Sequence, residues 1–299
     1  MTQICFFEKE FVVFELMRYI DVTKLLNSTK LLKNVKKKFI YRKLNEKYSS
    51  DYYKHEKFRM TIHDSVENPN KQISLDLWRC ENITNISILG NVHTLKLSFC
   101  RYLTDVNVLR NVYILNLFCC TSIKDVSSLE NVHTLKLSGC KNITDVSALG
   151  KVHTLDLSHC PKITDVSVLG KVHTLNLSGC YCIFNVSSLG NVHTLDLTFC
   201  SISNVSALGN VHTLKLVHCR NITDVSALGN VHTLQLYGCV QITDVSALGK
   251  VHTLDLSECK NITDVSALGK VHTLHLYNCD QITDVSSLRN VNIIRKNDL

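Results

Sequence analysis

The chain lacks the short motifs by which catalytic sites are commonly recognised. It has no glycine-rich phosphate loop, no nucleophile elbow and no His-Glu-x-x-His pair. Asp145 and its copies recur as a regular column, which is not the arrangement of an acid–base pair. The C-x₂-C spacing of zinc sites is also absent, since the close cysteine pairs are Cys119–Cys120 and Cys180–Cys182. These absences argue against an enzyme, and the sequence predicts no cofactor and no metal site.

Long apolar runs are missing as well. No segment reaches the length of a membrane span, and the first residues, MTQICFFEKEFVVF, carry charges inside their apolar stretch. The sequence therefore predicts no membrane association and no secretory signal. An intracellular, cytoplasmic location in a reducing compartment is the consistent expectation.

The positive charge is concentrated near the start of the chain. Of the formal net charge of +7, about +5 lies in residues 1–70, which hold fourteen Lys/Arg and nine Asp/Glu. A basic helix can bind nucleic acid or acidic membrane, but it is more often a solvated face. The remainder of the chain is nearly neutral and offers no long track for a phosphate backbone. Nucleic acid is therefore not an expected partner.

One phrase, VHTLxLxxCxxITDVSALGx, recurs about every twenty residues from Ile73 to Asn290. A unit this short cannot bury its apolar side chains alone, so neighbouring copies must stack into a solenoid. The LxL motif marks eleven copies, beginning at Leu75, Leu95, Leu115, Leu135, Leu155, Leu175, Leu195, Leu214, Leu234, Leu254 and Leu274. Between Cys200 and Ile202 one residue is missing, and there we expect a tighter loop without a break in the stack.

A single copy, residues 132–151, predicts the path of the chain. Leu135 and Leu137 alternate with polar residues, which is the period-two pattern of a half-buried strand. The later apolar residues are spaced by three, which suits a 3₁₀-like turn. Thr144 or Asp145 is expected to cap this turn, and Gly150 to allow a tight reversal into the next strand.

The pattern LxLxxC followed by Ile-Thr-Asp resembles the leucine-rich repeat in its cysteine-containing variant, and DVSALG is similar to the convex segment of short bacterial-type repeats. The resemblance covers about three quarters of the chain. It implies an α/β repeat fold, a solenoid whose parallel β-sheet forms a concave, protein-binding face, with short 3₁₀ or irregular segments on the convex side. Longer cysteine-containing repeats have more helix on that side than this sequence allows.

Eleven of the fourteen cysteines share one repeat position. Disulfides at this position are sterically conceivable, because adjacent strands and disulfide-bonded Cα atoms have similar spacings. Parallel, buried side chains argue against them. We expect a ladder of small apolar residues whose thiols form weak hydrogen bonds.

Before Ile73 the repeat is absent, and apolar residues recur at helical spacing. The segment FVVFELMRYIDVTKLLNSTKLLKNVKKKF, residues 11–39, resembles an F-box, although it lacks the Leu-Pro with which F-boxes typically begin. The resemblance implies docking to the linker subunit of a cullin-type ubiquitin ligase through Phe11, Val12, Leu16, Ile20, Val22, Leu25 and Leu26. The alternative is a helical cap that covers the first repeat. The repeats also resemble F-box/repeat families of large amoeba DNA viruses, which implies the host cytoplasm.

These observations predict four parts. They are a helical F-box-like domain or cap over residues 1–60, a linker over 61–72, a leucine-rich-repeat array over 73–290 and a C-terminal end over 291–299.

Within the array, the copies differ mainly at positions that alternation places on the solvent side of the strands. This variation reflects either tuning for a ligand or drift at exposed sites. Large aromatic residues beside arginine favour a ligand, because such residues anchor interfaces. The predicted protein-binding residues are Trp78, Arg79, Lys96, Phe99, Arg101, Tyr102, Phe118, Tyr237 and Tyr277.

Nine copies carry a histidine before Thr-Leu, and Tyr113 takes its place in one. Stacking would align these rings at about 5 Å. Three interpretations remain open: inheritance from one ancestral copy, metal binding, or a pH response in which adjacent like charges lower the imidazole pKa.

Overall fold

The computed structural model of the protein describes residues 46–65, 73–79, 83 and 86–294. The chain divides into two compact units, the second of which begins at Leu77. The residues predicted to dock a ligase subunit lie outside the described residues; they are Phe11, Val12, Leu16, Ile20, Val22, Leu25 and Leu26.

Within the described residues, two helices precede the first strand: α1 spans Glu46–Lys54 and α2 spans Glu56–Ser65. Tyr52 and Phe58 are buried, and Nη1 of Arg59 donates a 2.9 Å hydrogen bond to the carbonyl oxygen of Tyr52. Burial raises the pKa of Tyr52 to about 12. A small helical region before the repeats is therefore confirmed. Its last helix runs to residue 65, into the stretch that the sequence assigned to a linker.

Twelve short strands form one parallel sheet in sequence order. Their bounds are β1 Ser74–Asp76, β2 Thr94–Lys96, β3 Ile114–Asn116, β4 Thr134–Lys136, β5 Thr154–Asp156, β6 Thr174–Asn176, β7 Thr194–Asp196, β8 Thr213–Lys215, β9 Thr233–Gln235, β10 Thr253–Asp255, β11 Thr273–His275 and β12 Asn292–Ile294. We call each repeat a rung and number it after its strand. Residues at one repeat position in successive rungs form a column.

The strand register follows the leucine pattern. Leu135 of β4 lies opposite Leu115 and Leu155, and all three are buried because the middle residue of each strand points inward. The sheet extends one strand beyond the eleven LxL copies, since β12 pairs with β11 although it contains neither LxL nor the cysteine. The backbone N–H of Asn292 donates to the carbonyl oxygen of His272 at 3.1 Å.

The return path of each rung is a short 3₁₀ segment, as the spacing of three predicts. The segments are Ser87–Leu89, Asn107–Asn111, Ser127–Leu129, Ser147–Lys151, Ser167–Lys171, Ser187–Asn191, Ser206–Leu208, Ser226–Leu228, Ser246–Leu248, Ser266–Leu268 and Ser286–Leu288. In rung 4 the interior side chains Leu135, Leu137, Cys140, Ile143 and Leu149 have 0% exposure. The predicted α/β solenoid, with a parallel sheet on one side and 3₁₀ turns on the other, is confirmed.

Aspartate, and not threonine, caps the 3₁₀ turns of rungs 2–5 and 8–11, and asparagine caps those of rungs 6 and 7. The backbone N–H of Ser147 donates a 2.8 Å hydrogen bond to Oδ1 of Asp145. This hydrogen bond lowers the pKa of the Asp145 carboxyl, and the same holds in rungs 3, 5, 8, 9, 10 and 11. The capped carboxylates are therefore charged at neutral pH.

Replacing Asp145 with alanine is expected to lower the urea midpoint of unfolding at pH 7 by a small, measurable amount, because the Ser147 N–H loses its acceptor. Asparagine should nearly preserve the midpoint, since Oδ1 of Asn185 accepts from the Ser187 N–H at 3.0 Å. The alanine effect should vanish as the pH falls through the lowered carboxyl pKa, where the native aspartate also loses its charge. Equal losses for alanine and asparagine would contradict the hydrogen-bond explanation.

The role expected for Gly150 is wrong. The equivalent glycines that close the 3₁₀ turns have ordinary right-handed backbone, with φ of −67° at Gly90 and −62° at Gly209. Glycine instead suits a close approach of the next rung, since a Cβ added to Gly150 would lie 2.6 Å from the carbonyl oxygen of Val168. It is not required there, since Arg110 and Glu130 occupy the same position in rungs 2 and 3.

The shorter rung 7 leaves the stack unbroken, as expected. Thr194 of β7 still pairs with Thr213 of β8, and Ile202 and Val205 remain buried. The missing residue therefore comes from the exposed part of the loop, and the interior columns are complete.

Candidate binding surface

Side chains on the outer face of the sheet differ more in their exposure to solvent than strict alternation predicts. The residue after the second leucine was expected to face solvent in every rung, yet Ser98, Ser138, Ser158 and Ser257 are buried. In rung 5, Oδ1 of Asp156 accepts hydrogen bonds from the N–H and the hydroxyl of Ser158, at 3.0 and 2.7 Å. The small serines are thus enclosed by neighbouring polar groups. The exposed side chains at this position are the larger Trp78 and Phe118, with 42% and 36% exposure.

The residue before each cysteine has left-handed backbone, which sequence reasoning missed. Eight non-glycine residues adopt φ between 54° and 63° there, among them Arg79, Phe99, Phe199 and His218. This conformation costs an L-residue about 1–2 kcal/mol, which glycine avoids. Glycine occurs at the same position in three rungs, as at Gly139 with φ of 74°. Those glycines were the signal that identifies the turn.

Four of the predicted binding residues form one cluster, which we call the first aromatic cluster: Trp78, Arg79, Phe99 and Phe118. The Phe99 ring contacts Trp78 edge-on at 6.1 Å and Phe118 edge-on at 5.1 Å between centroids. The Arg79 guanidinium carbon lies 4.4 Å from the Trp78 ring centroid, within cation–π range. Three rungs thus contribute to one apolar surface that carries a positive charge.

The structure does not bring the other predicted residues of these rungs into that cluster. Lys96 is half-buried within β2, and Arg101 and Tyr102 lie on the turn after Cys100, where Tyr102 has 69% exposure. Across the part of the chain that the structure describes, no ring contact joins Tyr102 to the cluster. Arg101 and Tyr102 therefore belong to the rim of the sheet face.

A second aromatic cluster forms further along the array and consists of Phe199, His218 and Tyr237. Phe199 stacks on His218 at 5.0 Å, and Tyr237 meets His218 edge-on at 5.1 Å. A side-chain hydrogen bond with Glu258 raises the pKa of Tyr237. Phe199 was not among the predicted residues, although its place in the left-handed column matches that of Phe99. Tyr277 is half-buried two rungs beyond Tyr237, and its N–H donates to Oγ of Ser257 at 3.3 Å.

The residues before the strands build a continuous column of stacked rings. It comprises His93, Tyr113, His133, His153, His173, His193, His212, His232, His252 and His272, with successive centroids 4.5–4.9 Å apart. Apart from His93, the planes lie within 17° of parallel. Each imidazole Nδ1 lies 3.0–3.3 Å from the hydroxyl of the following threonine, as His272 does from Thr273. Within the described residues, no three His, Cys, Asp or Glu side chains are grouped to hold a metal ion.

The cysteine column is a ladder of buried thiols, as expected. The Sγ of Cys140 lies 3.1 Å from the carbonyl oxygen of Leu117, to which it donates, and Cys180 repeats the contact with Leu157 at 3.1 Å. Burial is the main cause that raises the pKa of Cys140 to about 12 and of Cys180 to about 11. The thiols therefore remain protonated and tie each rung to the one before it.

Parallel three-residue strands, 3₁₀ returns and leucine columns together define a leucine-rich-repeat solenoid. A family model described as Leucine Rich repeat matches residues 151–169. None of the helices in the described ranges has the length and apolar character needed to cross a membrane.

Several solved structures have a similar fold. An internalin, InlF, from Listeria monocytogenes is 19% identical with a TM-score of 0.52, covering 75% of this chain and 84% of that one. A leucine-rich-repeat protein from Leptospira interrogans is 17% identical with a TM-score of 0.49, covering 72% and 69%. The functional domain of InlJ from Listeria monocytogenes, which includes a cysteine ladder, is 21% identical with a TM-score of 0.48, covering 74% and 59%. No curated protein matches the chain. At these identities the likeness extends to the fold alone.

Proposed function

We propose that the chain is a protein–protein interaction module that serves as a substrate-recognition adaptor of a cullin-type ubiquitin ligase. The sheet face recruits a target protein, and the F-box-like domain, residues 1–60, docks to the linker subunit of the ligase. The alternative is a stand-alone leucine-rich-repeat binding protein whose N-terminal residues only cap the array.

The observation that carries target recruitment is the first aromatic cluster. Trp78 and Phe118 expose large apolar surface on the sheet, whereas four other rungs hold small, buried serines at that position. Arg79 and Phe99 occupy left-handed backbone, where glycine would avoid the strain. Side chains held at such a cost, and stacked with arginine, are typical of interface anchors.

The ligase link is supported by the order of the chain. An F-box-like segment, residues 11–39, precedes a leucine-rich-repeat array, and its apolar residues are spaced as a docking helix requires. The array itself offers the rigid platform that an adaptor needs to hold a target.

The test uses the full chain with two double substitutions. Ile20→Glu with Leu25→Glu should abolish capture of the purified ligase linker subunit, because charges replace the apolar contacts implied for docking. Trp78→Ala with Phe99→Ala should leave linker capture intact and remove the target proteins that the native chain cross-links in host lysate, by about tenfold or more. A native chain that binds no linker subunit, or that binds it regardless of Ile20 and Leu25, would leave only the stand-alone alternative.

A further inference from the structure

Residues 181–210 are unusually poor in charge. The whole chain is 20% Asp, Glu, Lys and Arg, yet this stretch of rungs 6 and 7 contains a single such residue, Asp196. That carboxylate lies on the sheet and faces Lys215, whose Nζ is 3.9 Å from its Oδ2. The turns and rims of these two rungs therefore carry no formal charge.

The loss of charge is concentrated in the capping column. Aspartate caps the 3₁₀ turns of rungs 2–5 and 8–11, whereas Asn185 and Asn204 cap those of rungs 6 and 7. The amide oxygens accept from Ser187 and Ser206 at 3.0 and 2.9 Å, so the cap itself is retained. The exchange therefore brings no evident gain in local structure. It removes two carboxylates whose dehydration would oppose the burial of this surface under a partner.

Large apolar side chains appear beside the uncharged caps. Rung 6 reads Tyr181-Cys182-Ile183-Phe184 where rung 4 reads Lys-Asn-Ile-Thr. Tyr181 has 52% exposure and Phe184 66%, and Cys182 is exposed. Tyr181 and Phe184 are three residues apart, so their Cα atoms lie within about 10 Å. In the next rung the loop is one residue shorter between Cys200 and Ile202, at the repeat position that Tyr181 and Cys182 occupy in rung 6.

The surroundings determine the charge of a fitting partner. On the Tyr181 side, the exposed Lys162 lies in the adjacent rung 5, and the exposed Lys141 and Arg220 lie two rungs away on either side. The nearest aspartates, Asp165 and Asp224, belong to the capping column beyond Phe184. Because most of the net charge of the chain lies in residues 1–70, the preference for an acidic partner rests on these three cations on the Tyr181 side.

We propose that the rim formed by Tyr181, Phe184, Asn185 and Asn204 is a second docking site, which binds an acidic protein segment through apolar anchor side chains. The anchors pack on Tyr181 and Phe184, and the acidic groups face Lys141, Lys162 and Arg220. This site is separate from the first aromatic cluster, whose described contacts join rungs 1–3 only, whereas the second aromatic cluster begins at Phe199 in rung 7.

The test measures binding of a fluorescein-labelled peptide of repeating Glu-Glu-Leu-Phe units to the full chain by anisotropy. A peptide of repeating Lys-Lys-Leu-Phe units is the charge control. The acidic peptide should bind saturably and the basic one should not. Phe184→Thr, the residue found in other rungs, should weaken binding about tenfold or more.

Matched variants separate the alternatives. Asn185→Asp with Asn204→Asp keeps both caps and should weaken binding several-fold. This loss of affinity should be smaller at high salt, because salt screens the added charges. Trp78→Ala should leave this binding unchanged whether or not the sheet face recruits a target. The proposal is overturned if the acidic peptide fails to bind, if both peptides bind alike, or if Trp78→Ala removes the binding. A concentration-dependent dimer in sedimentation that Phe184→Thr dissociates would instead assign the rim to a second copy.

Discussion

Replacing Leu135 with alanine is expected to lower the free energy of unfolding by about 2–5 kcal/mol, the cost typical of truncating a fully buried leucine. Leu135 has 0% exposure and lies in register with Leu115 and Leu155, so the cavity opens between three rungs. In a solenoid each rung contacts only its neighbours, and a cavity in the middle of the array therefore weakens two interfaces. Urea denaturation followed by circular dichroism measures the loss.

Two controls define how this result is interpreted. Val168→Ala removes a side chain with 42% exposure on a 3₁₀ turn, and should change stability by less than about 0.5 kcal/mol. Ile282→Ala in the last complete rung, where the side chain is half-buried, should cost less than Leu135→Ala. If Leu135→Ala were no more damaging than Val168→Ala, the stacked leucine core described here would be wrong.

The sequence predicted the parts of the fold that depend on burial. The strand shows alternation, at Leu135 and Leu137, and the return path shows a spacing of three, at Ile143, Val146 and Leu149. Both periods arise because these side chains must point into the core. The same repetition predicted the ladder of thiols and the column of rings, because equivalent residues in stacked rungs must lie beside one another.

Features that depend on contacts between rungs were not predictable in the same way. The strand β12 has no LxL, and its conformation is set by the exposed edge of β11. Gly150 suggested a reversal, whereas its backbone approaches the carbonyl oxygen of Val168 in the following rung. Ser158 is buried because Asp156 folds over it, a local contact that alternation alone does not reveal.

The candidate site was predicted in part. The first aromatic cluster followed from exposed aromatic residues beside arginine, but its geometry depends on the left-handed backbone of Arg79 and Phe99. Left-handed backbone cannot be recognised from the sequence where the residue that adopts it is not glycine. Phe199 was missed for the same reason, since nothing local distinguishes it from a residue of extended backbone.

Lowering the pH from 7.5 to 5 is expected to reduce the thermal unfolding midpoint by several degrees, because the stacked imidazoles become charged side by side. The pKa of His252 is lowered from its ordinary value of 6.5, first by partial removal from water and then by the neighbouring His272 and His232. Between the ordinary and the lowered pKa, the unfolded chain binds more protons than the folded one. The stability is therefore complete above about pH 6.5 and is lost as the pH falls through the lowered value.

Neither the capping aspartates nor the buried thiols change protonation in this interval. The capping aspartates have pKa values below their ordinary 3.8 and stay charged, and the buried thiols have raised pKa values and stay protonated. We assign the expected loss to the ring column, because its imidazoles lie side by side.

A matched variant tests this assignment directly. Tyr113 already stands in the column and stacks on His93 and His133 at 4.9 and 4.5 Å, so tyrosine fits the position without titrating in this range. Replacing His252 and its neighbours His232 and His272 together with tyrosine should reduce the dependence of the midpoint on pH while leaving the midpoint at pH 7.5 nearly unchanged. A variant whose midpoint fell in parallel with that of the native chain would show that the histidine column does not cause the acid sensitivity. An unfolding midpoint of the native chain that stayed constant from pH 7.5 to 5 would show that protonating adjacent imidazoles carries no penalty in this array.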